Sequence, residues 1–195
     1  MILSRKDCYD VHVALTESLP YQAGLNLYHF QLPDANGKSY FSKTLVGPKG
    51  LLVVFTCNHC PYAEAIWPRL ILIAQEAKLL GINTVAINSN IHPEYPEDAP
   101  PEMLKKIKAL GIDFPYLVDE SQQSARDFGA QCTPDNFLFN RFEQLVYHGR
   151  VDDNWKEEDG VNRHDLLKAI HCLGKGNPID EQQFPSLGCS IKWRS

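Results

Sequence analysis

The stretch that most constrains this chain is residues 51–60, where Leu51-Leu52-Val53-Val54-Phe55 runs straight into Thr56-Cys57-Asn58-His59-Cys60. Five apolar residues in a row read as a strand buried on both faces. Behind the cysteines, Ile66, Trp67, Leu70, Ile71, Ala74, Ala77 and Leu80 recur close to a 3.6-residue period. Residues 63–80 are therefore expected to form a helix that Gly81 ends and that Pro68 deprives of one hydrogen bond. A C-x-x-C pair between a buried strand and a helix places two thiols in the first helical turn. Thiols so spaced can close into a disulfide and open again. The free N–H groups and dipole of that turn favour a thiolate. The arrangement points to redox chemistry on sulfur.

The rest of the chain supplies a scaffold of alternating elements. Residues 25–32 and 38–41 read as short strands around Pro33-Asp34-Ala35-Asn36-Gly37, a hairpin signal. Residues 82–87 form a second buried strand, and residues 88–101 form a proline-rich loop of a length more often functional than connective. A helix over 101–110, an extended segment over 114–118 and a helix over 121–128 follow, then strands over 137–139 and 145–147. Asn162 is expected to cap a last helix that Gly174 ends. The order implies a mainly parallel sheet covered on both faces with an antiparallel edge. Residues 1–24 read as an N-terminal extension, 25–174 as one domain and 175–195 as a tail of little periodicity.

Composition narrows the partners. A formal charge of -5, from 24 acidic and 19 basic residues, gives no basic surface for nucleic acid. No segment reaches the roughly 18 uninterrupted apolar residues of a membrane span. Residues 1–7 have no apolar core behind their charges, so no signal peptide is expected and the reducing cytoplasm is the expected compartment. Of the six cysteines, Cys8, Cys57, Cys60, Cys132, Cys172 and Cys189, only one pair has a motif spacing. Zinc sites usually use four ligands in paired knuckles. One C-x-x-C, with His171-Cys172 badly spaced for the rest, gives no expectation of a metal or any other cofactor. Cys172 reads as a small hydrophobe within a helix, and Cys8 as a residue without a role.

Cys57-Asn58-His59-Cys60 after the strand, Thr133-Pro134 before Asp135-Asn136-Phe137-Leu138-Phe139, and Leu145-Val146-Tyr147-His148-Gly149-Arg150 as a last strand together resemble the thioredoxin superfamily. A narrower resemblance is to the peroxiredoxin-like branch named after alkyl hydroperoxide reductase and thiol-specific antioxidant proteins. It rests on Phe30-Gln31-Leu32-Pro33-Asp34, Thr56-Cys57-Asn58-His59-Cys60-Pro61-Tyr62, Asn88-Ser89-Asn90 and Phe114-Pro115-Tyr116-Leu117-Val118-Asp119-Glu120. Gly149-Arg150-Val151-Asp152-Asp153 and Gly188-Cys189-Ser190-Ile191-Lys192-Trp193 extend it to the end of the chain. The resemblance implies a thioredoxin-like α/β fold, a central mixed sheet with helices on both faces and an N-terminal hairpin. It also implies a thiol–disulfide oxidoreductase in which an exposed Cys57 is the nucleophile and a buried Cys60 resolves the mixed disulfide.

The same resemblance gives His59 the role of stabilising the Cys57 thiolate, which favours the reduced form and a more oxidising couple than thioredoxin's. A solvent-facing spacer is the alternative for that residue. Thr133 and Pro134, with a cis peptide, would present backbone to a substrate strand; a trans proline at a strand start is the alternative. Cys132 is either a third thiol near Cys57 or an inert filler, and Cys189 is a candidate relay thiol reaching back from the tail. Arg150, Asp152, Asp153 and Asn154 read as a solvated loop rather than a rim of the site. The expected partners are protein or small-molecule disulfides and a reductant.

Departures from the family bear on the reaction. The threonine three residues before a peroxide-reactive cysteine is Val54 ahead of Cys57 and Cys57 ahead of Cys60. The peroxide-binding arginine would stand where Pro134 is. Weak peroxidase or antioxidant activity is therefore the alternative reading, and a redox-inactive binding module a further one. Thioredoxin's tryptophan before the first cysteine is Thr56, and its buried aspartate is Leu51, so proton transfer to Cys60 needs another group or water.

Overall fold

The computed structural model describes residues 15–180 and 182–194. Along the chain these form β1 (Leu15–Glu17), β2 (Gln31–Pro33), β3 (Ser39–Phe41), α1 (Ser42–Leu45), β4 (Gly50–Phe55), α2 (Pro61–Leu79), β5 (Ile82–Asn88), α3 (Pro100–Leu110), β6 (Tyr116–Val118) and α4 (Gln123–Phe128). There follow β7 (Cys132–Thr133), β8 (Asp135–Asn140), β9 (Leu145–Gly149), α5 (Asp165–Lys175) and β10 (Leu187–Ser190), with 3-10 turns at Pro96–Asp98 and Glu158–Gly160. The central sheet has the order β6-β5-β4-β8-β9. β4, β5 and β6 run parallel, while β8 and β9 are antiparallel to their neighbours. This is a thioredoxin-like α/β fold with a mixed sheet.

Every residue of β4 is buried, and its side chains alternate between two cores, as the period of a strand requires. Leu52 and Val54 join Trp67 and Leu70 of α2, Met103 of α3 and Ile170 of α5. Leu51, Val53 and Phe55 face the other way, onto Phe30, Ala125, Phe128 and Phe137. β4 thus ends as a fixed post between two packed layers, and the cysteines follow directly on it.

A buried cation locks the loop after β9 onto α2. The guanidinium of Arg69 donates to Asp152 Oδ2 at 2.5 Å, to the carbonyl of Asn154 at 2.8 Å and to the carbonyl of Trp155 at 2.6 Å. Asp152 is 6% exposed, so it is not part of a solvated loop as its sequence neighbourhood suggests. Nothing in the local sequence marks Arg69, which sits on an otherwise apolar helix face and compensates a charge 83 residues away.

Other expectations change as well. The last helix begins at Asp165 after His164, and Gly176 in the left-handed region ends it. Asn162 instead gives its backbone N–H to Asp153 Oδ1, and Gly174 lies within the helix. Cys172 is partly exposed on α5. The hairpin of β2 and β3 keeps the expected turn, but strand pairing starts at Gln31, not at Leu25. The extension and the tail are not featureless: β1 pairs with β10, and β10 pairs with β7. Period-based reasoning misses such short strands because two to four residues hold too little alternation to register. Cys8 lies outside the described residues.

Candidate active site

The two motif cysteines leave the end of β4 on a loop. Helix α2 begins at Pro61 with Cys60 as its N-cap, so Cys57 lies ahead of the helix rather than in its first turn. Both cysteines are fully buried, which corrects the expectation of an exposed Cys57. The cause is the loop of residues 89–99 folding over them. Asn58 N–H donates to Asp98 Oδ1 at 2.5 Å, and Asn58 Nδ2 donates to the carbonyl of Glu97 at 2.8 Å. Trp67 Nε1 on α2 donates to the carbonyl of Cys57 at 3.3 Å, and Tyr116 Oη donates to Asn58 Oδ1 at 3.2 Å. The loop is therefore fixed from both sides.

Thr133 spans the pair. The peptide between Thr133 and Pro134 is cis. Cys57 Sγ lies 3.4 Å from Thr133 Oγ1, and Cys60 Sγ lies 3.2 Å from the Thr133 carbonyl oxygen. Asp135 holds this corner: its Oδ2 accepts from the Gln131 N–H at 3.3 Å and its Oδ1 bonds His148 Nε2 at 2.9 Å.

A third thiol is present, and it is Cys189 rather than Cys132. Adjacent strand residues point to opposite faces. With Thr133 facing the dithiol, Cys132 turns away, and its Sγ contacts the carbonyl of Pro134 at 3.6 Å. In the antiparallel pairing of β10 with β7, Cys189 lies directly opposite Thr133 and so shares its face. Cys57, Cys60, Ala63 and Cys189 form one buried cluster with Tyr62 packed against it. All of the described cysteines are free thiols.

Charge is distributed unevenly over these sulfurs. Burial, the hydrogen bond with Cys60 and the nearby carboxylate of Asp98 push the Cys57 thiol well above its ordinary value. Burial also opposes ionisation of Cys60, yet hydrogen bonds with Cys189, Cys57 and Thr133 outweigh it and lower that thiol. Cys189 is raised because it donates to Cys60 and is buried. These directions favour a thiolate on Cys60, at the positive end of α2, over one on Cys57. The sequence places it on Cys57. His59 Nδ1 bonds Asp98 Oδ2, its ring stacks on Tyr95 with centroids 4.4 Å apart, and a ring nitrogen stays within 4.8 Å of Cys57 Sγ. Asp98 is fully buried and is not recognisable from the sequence; nothing local distinguishes it from Glu94 or Glu97 in the same loop.

One prediction follows from the charge on Cys60. A free thiol, with a pKa of about 8.5, is protonated at about pH 5. The reduced protein is expected to keep the ultraviolet absorbance of one thiolate at that pH, and Cys60→Ser is expected to lose it. A spectrum without thiolate absorbance there would contradict the assignment.

Cys57 Sγ, a ring nitrogen of His59 and a carboxylate oxygen of Asp98 lie within 4.8 Å of one another. Among the described residues this is the group able to hold a metal ion. It offers three ligand atoms, one fewer than a structural zinc site uses, and His59 and Asp98 already bond each other. No helix among the described residues is long and apolar enough to cross a membrane.

Comparison with known proteins agrees with the fold. The family described as Redoxin matches residues 22–165. A hypothetical protein of Sinorhizobium meliloti is 38% identical with a TM-score of 0.87, over 92% of this chain and 99% of its own. An uncharacterized conserved protein of Geobacillus kaustophilus is 36% identical with a TM-score of 0.87, over 92% and 96%. The peroxidoxin BcpB of Mycobacterium tuberculosis shares the fold at 15% identity and a TM-score of 0.61, over 77% and 96%. No functionally curated protein matches the chain.

Proposed function

The chain belongs to the redoxin family of thiol-based redox proteins, and from that premise we propose that it is a thiol–disulfide oxidoreductase cycling Cys57 and Cys60 between dithiol and disulfide. One observation carries the reading: a single residue, Thr133, meets one sulfur with its hydroxyl and the other with its carbonyl. The two thiols are thereby held as a pair in one buried cluster.

In the proposed reaction the proton of Cys57 passes to Cys60. The Cys57 thiolate attacks a substrate disulfide, forming a mixed disulfide and releasing one substrate thiolate. That thiolate takes the proton back from Cys60, and the Cys60 thiolate attacks Cys57 Sγ and expels the second substrate thiolate, which takes a proton from water. The protein ends as the Cys57–Cys60 disulfide and the substrate as two thiols. A cavity of about 300 Å³ is bordered by Ile66, Pro134, Arg150, Trp155 and Leu187. It suits a small disulfide or one substrate side chain. A thiolate stabilised on Cys60 favours the reduced protein, which supports a couple more oxidising than thioredoxin's.

The test is a trap. Cys60→Ser incubated with a model disulfide is expected to accumulate a mixed disulfide on Cys57, located by peptide mapping. Adducts forming only on Cys60 of Cys57→Ser would reverse the order of attack, and adducts on neither variant would overturn the reading.

A further inference from the structure

We propose that Cys189 is a third redox-active thiol of this site, which attacks Cys60 Sγ of the Cys57–Cys60 disulfide and moves the bond to Cys60–Cys189. This rests on the cycle proposed above and extends it.

The placement of Cys189 is built into the fold. β7 is the edge strand of a three-stranded sheet, and β10 is its one neighbour there. Cys189 pairs with Thr133, the residue that touches both motif sulfurs, and Ser190 pairs with Cys132. An extended substrate would lie against this same backbone edge, which the tail of the chain occupies. Cys189 then stands where the cysteine of such a substrate would stand.

The strand can come this close because of the residue before the cysteine. A Cβ on Gly188 would lie 2.1 Å from the carbonyl oxygen of Thr133, a backbone atom that cannot rotate away. Further contacts hold β10 from outside the thiol cluster. The Ser18 N–H donates to the carbonyl of Ser186 at 2.9 Å, and the Ser186 N–H donates to Ser18 Oγ at 2.9 Å. Beyond the strand, the Ile191 N–H donates to the carbonyl of Gln131 at 3.0 Å, and the Lys192 N–H donates to Asn90 Oδ1 at 2.8 Å. Cys189 itself is 1% exposed and packs against Cys57, Cys60 and Ala63. A polarisable thiol packed into a cluster of two others is a reactant by position, whereas Cys132, also buried, is aimed away.

The exchange conserves electrons. The Cys189 sulfur bonds Cys60 Sγ, the Cys57–Cys60 bond breaks, and the proton of Cys189 passes to the departing Cys57 sulfur. One disulfide is present before and after, and Cys57 is returned as a free thiol. In Cys57→Ser the same step runs on a mixed disulfide: the Cys60 thiolate attacks oxidised glutathione, and Cys189 then displaces glutathione from Cys60.

The experiment treats Cys57→Ser and the wild type with oxidised glutathione, quenches both in acid, alkylates free thiols and maps the disulfide-linked peptides. Cys57→Ser is expected to hold mainly a Cys60–Cys189 disulfide, and the wild type a mixture of Cys57–Cys60 and Cys60–Cys189. Adding Gly188→Ala to Cys57→Ser keeps the thiol but displaces the strand. The Cys60–Cys189 product is expected to fall at least several-fold, with glutathione left on Cys60. Suppose the wild type forms Cys57–Cys60 while Cys57→Ser stops at the glutathione adduct. That result overturns the role of Cys189 and leaves the dithiol cycle standing. No intramolecular disulfide in either protein overturns both.

Discussion

Replacing Cys60 with serine is expected to lower multiple-turnover disulfide reduction by at least about 10³-fold, because resolution then depends on an external thiol at millimolar concentration, whereas well-oriented intramolecular attack reaches effective molarities of about 10⁵ M. The effect should exceed that of replacing Cys132, Cys172 or Cys189. Cys60 shares one buried cluster with Cys57 and Cys189, and its neighbours lower its thiol pKa. Steady-state reduction of a small aromatic disulfide, coupled to a recycling reductant, measures the loss. A Cys60→Ser protein turning over within tenfold of the wild type would place the chemistry elsewhere.

The second large effect is on stability. Arg69→Ala is expected to cost about 3–5 kcal/mol, since it leaves the carboxylate of Asp152 buried without its partner. The carbonyls of Asn154 and Trp155 lose donors as well. Urea unfolding at unchanged m-value reads the cost. Adding Asp152→Ala to Arg69→Ala is expected to return part of it, because the stranded charge is then gone. A cost below about 1 kcal/mol, the range of surface pairs, would show that the pair is hydrated. The consequence reaches the site, because Trp155 packs on Tyr62 with ring centroids 3.9 Å apart, two residues beyond Cys60. Loosening the loop should therefore also slow disulfide exchange.

The parts of the fold legible in the sequence are those with long, regular patterns. The apolar run of β4, the 3.6-residue period of α2 and the Asn-Gly turn between β2 and β3 each satisfy one strong local rule. The site was legible where chemistry is written in adjacent residues, as in Cys57-Asn58-His59-Cys60 and Thr133-Pro134. It was not legible where partners meet only through topology. Asp98 reaches the dithiol loop because β5 ends beside β4 and the 3-10 turn folds across, 40 residues from Asn58. Cys189, a candidate relay thiol from its sequence alone, reaches it through a two-residue pairing with β7 that no local pattern in the tail reveals. The sequence points to a thiolate on Cys57 through His59 beside it and the helix start behind it. Burial and a carboxylate beside Cys57 raise that thiol, while the neighbours of Cys60 lower it, and neither effect is written in the local sequence.

The central claim is that Cys57 and Cys60 form a reversible redox pair, and equilibrium titration in glutathione buffers, with peptide mapping at each potential, tests it most directly. The account predicts one two-electron transition that involves Cys60, with a midpoint between the about −270 mV of thioredoxin and the about −120 mV of the strongest oxidases of this kind. Thiols that stay reduced across that whole range, or that oxidise unchanged in Cys60→Ser, would contradict it.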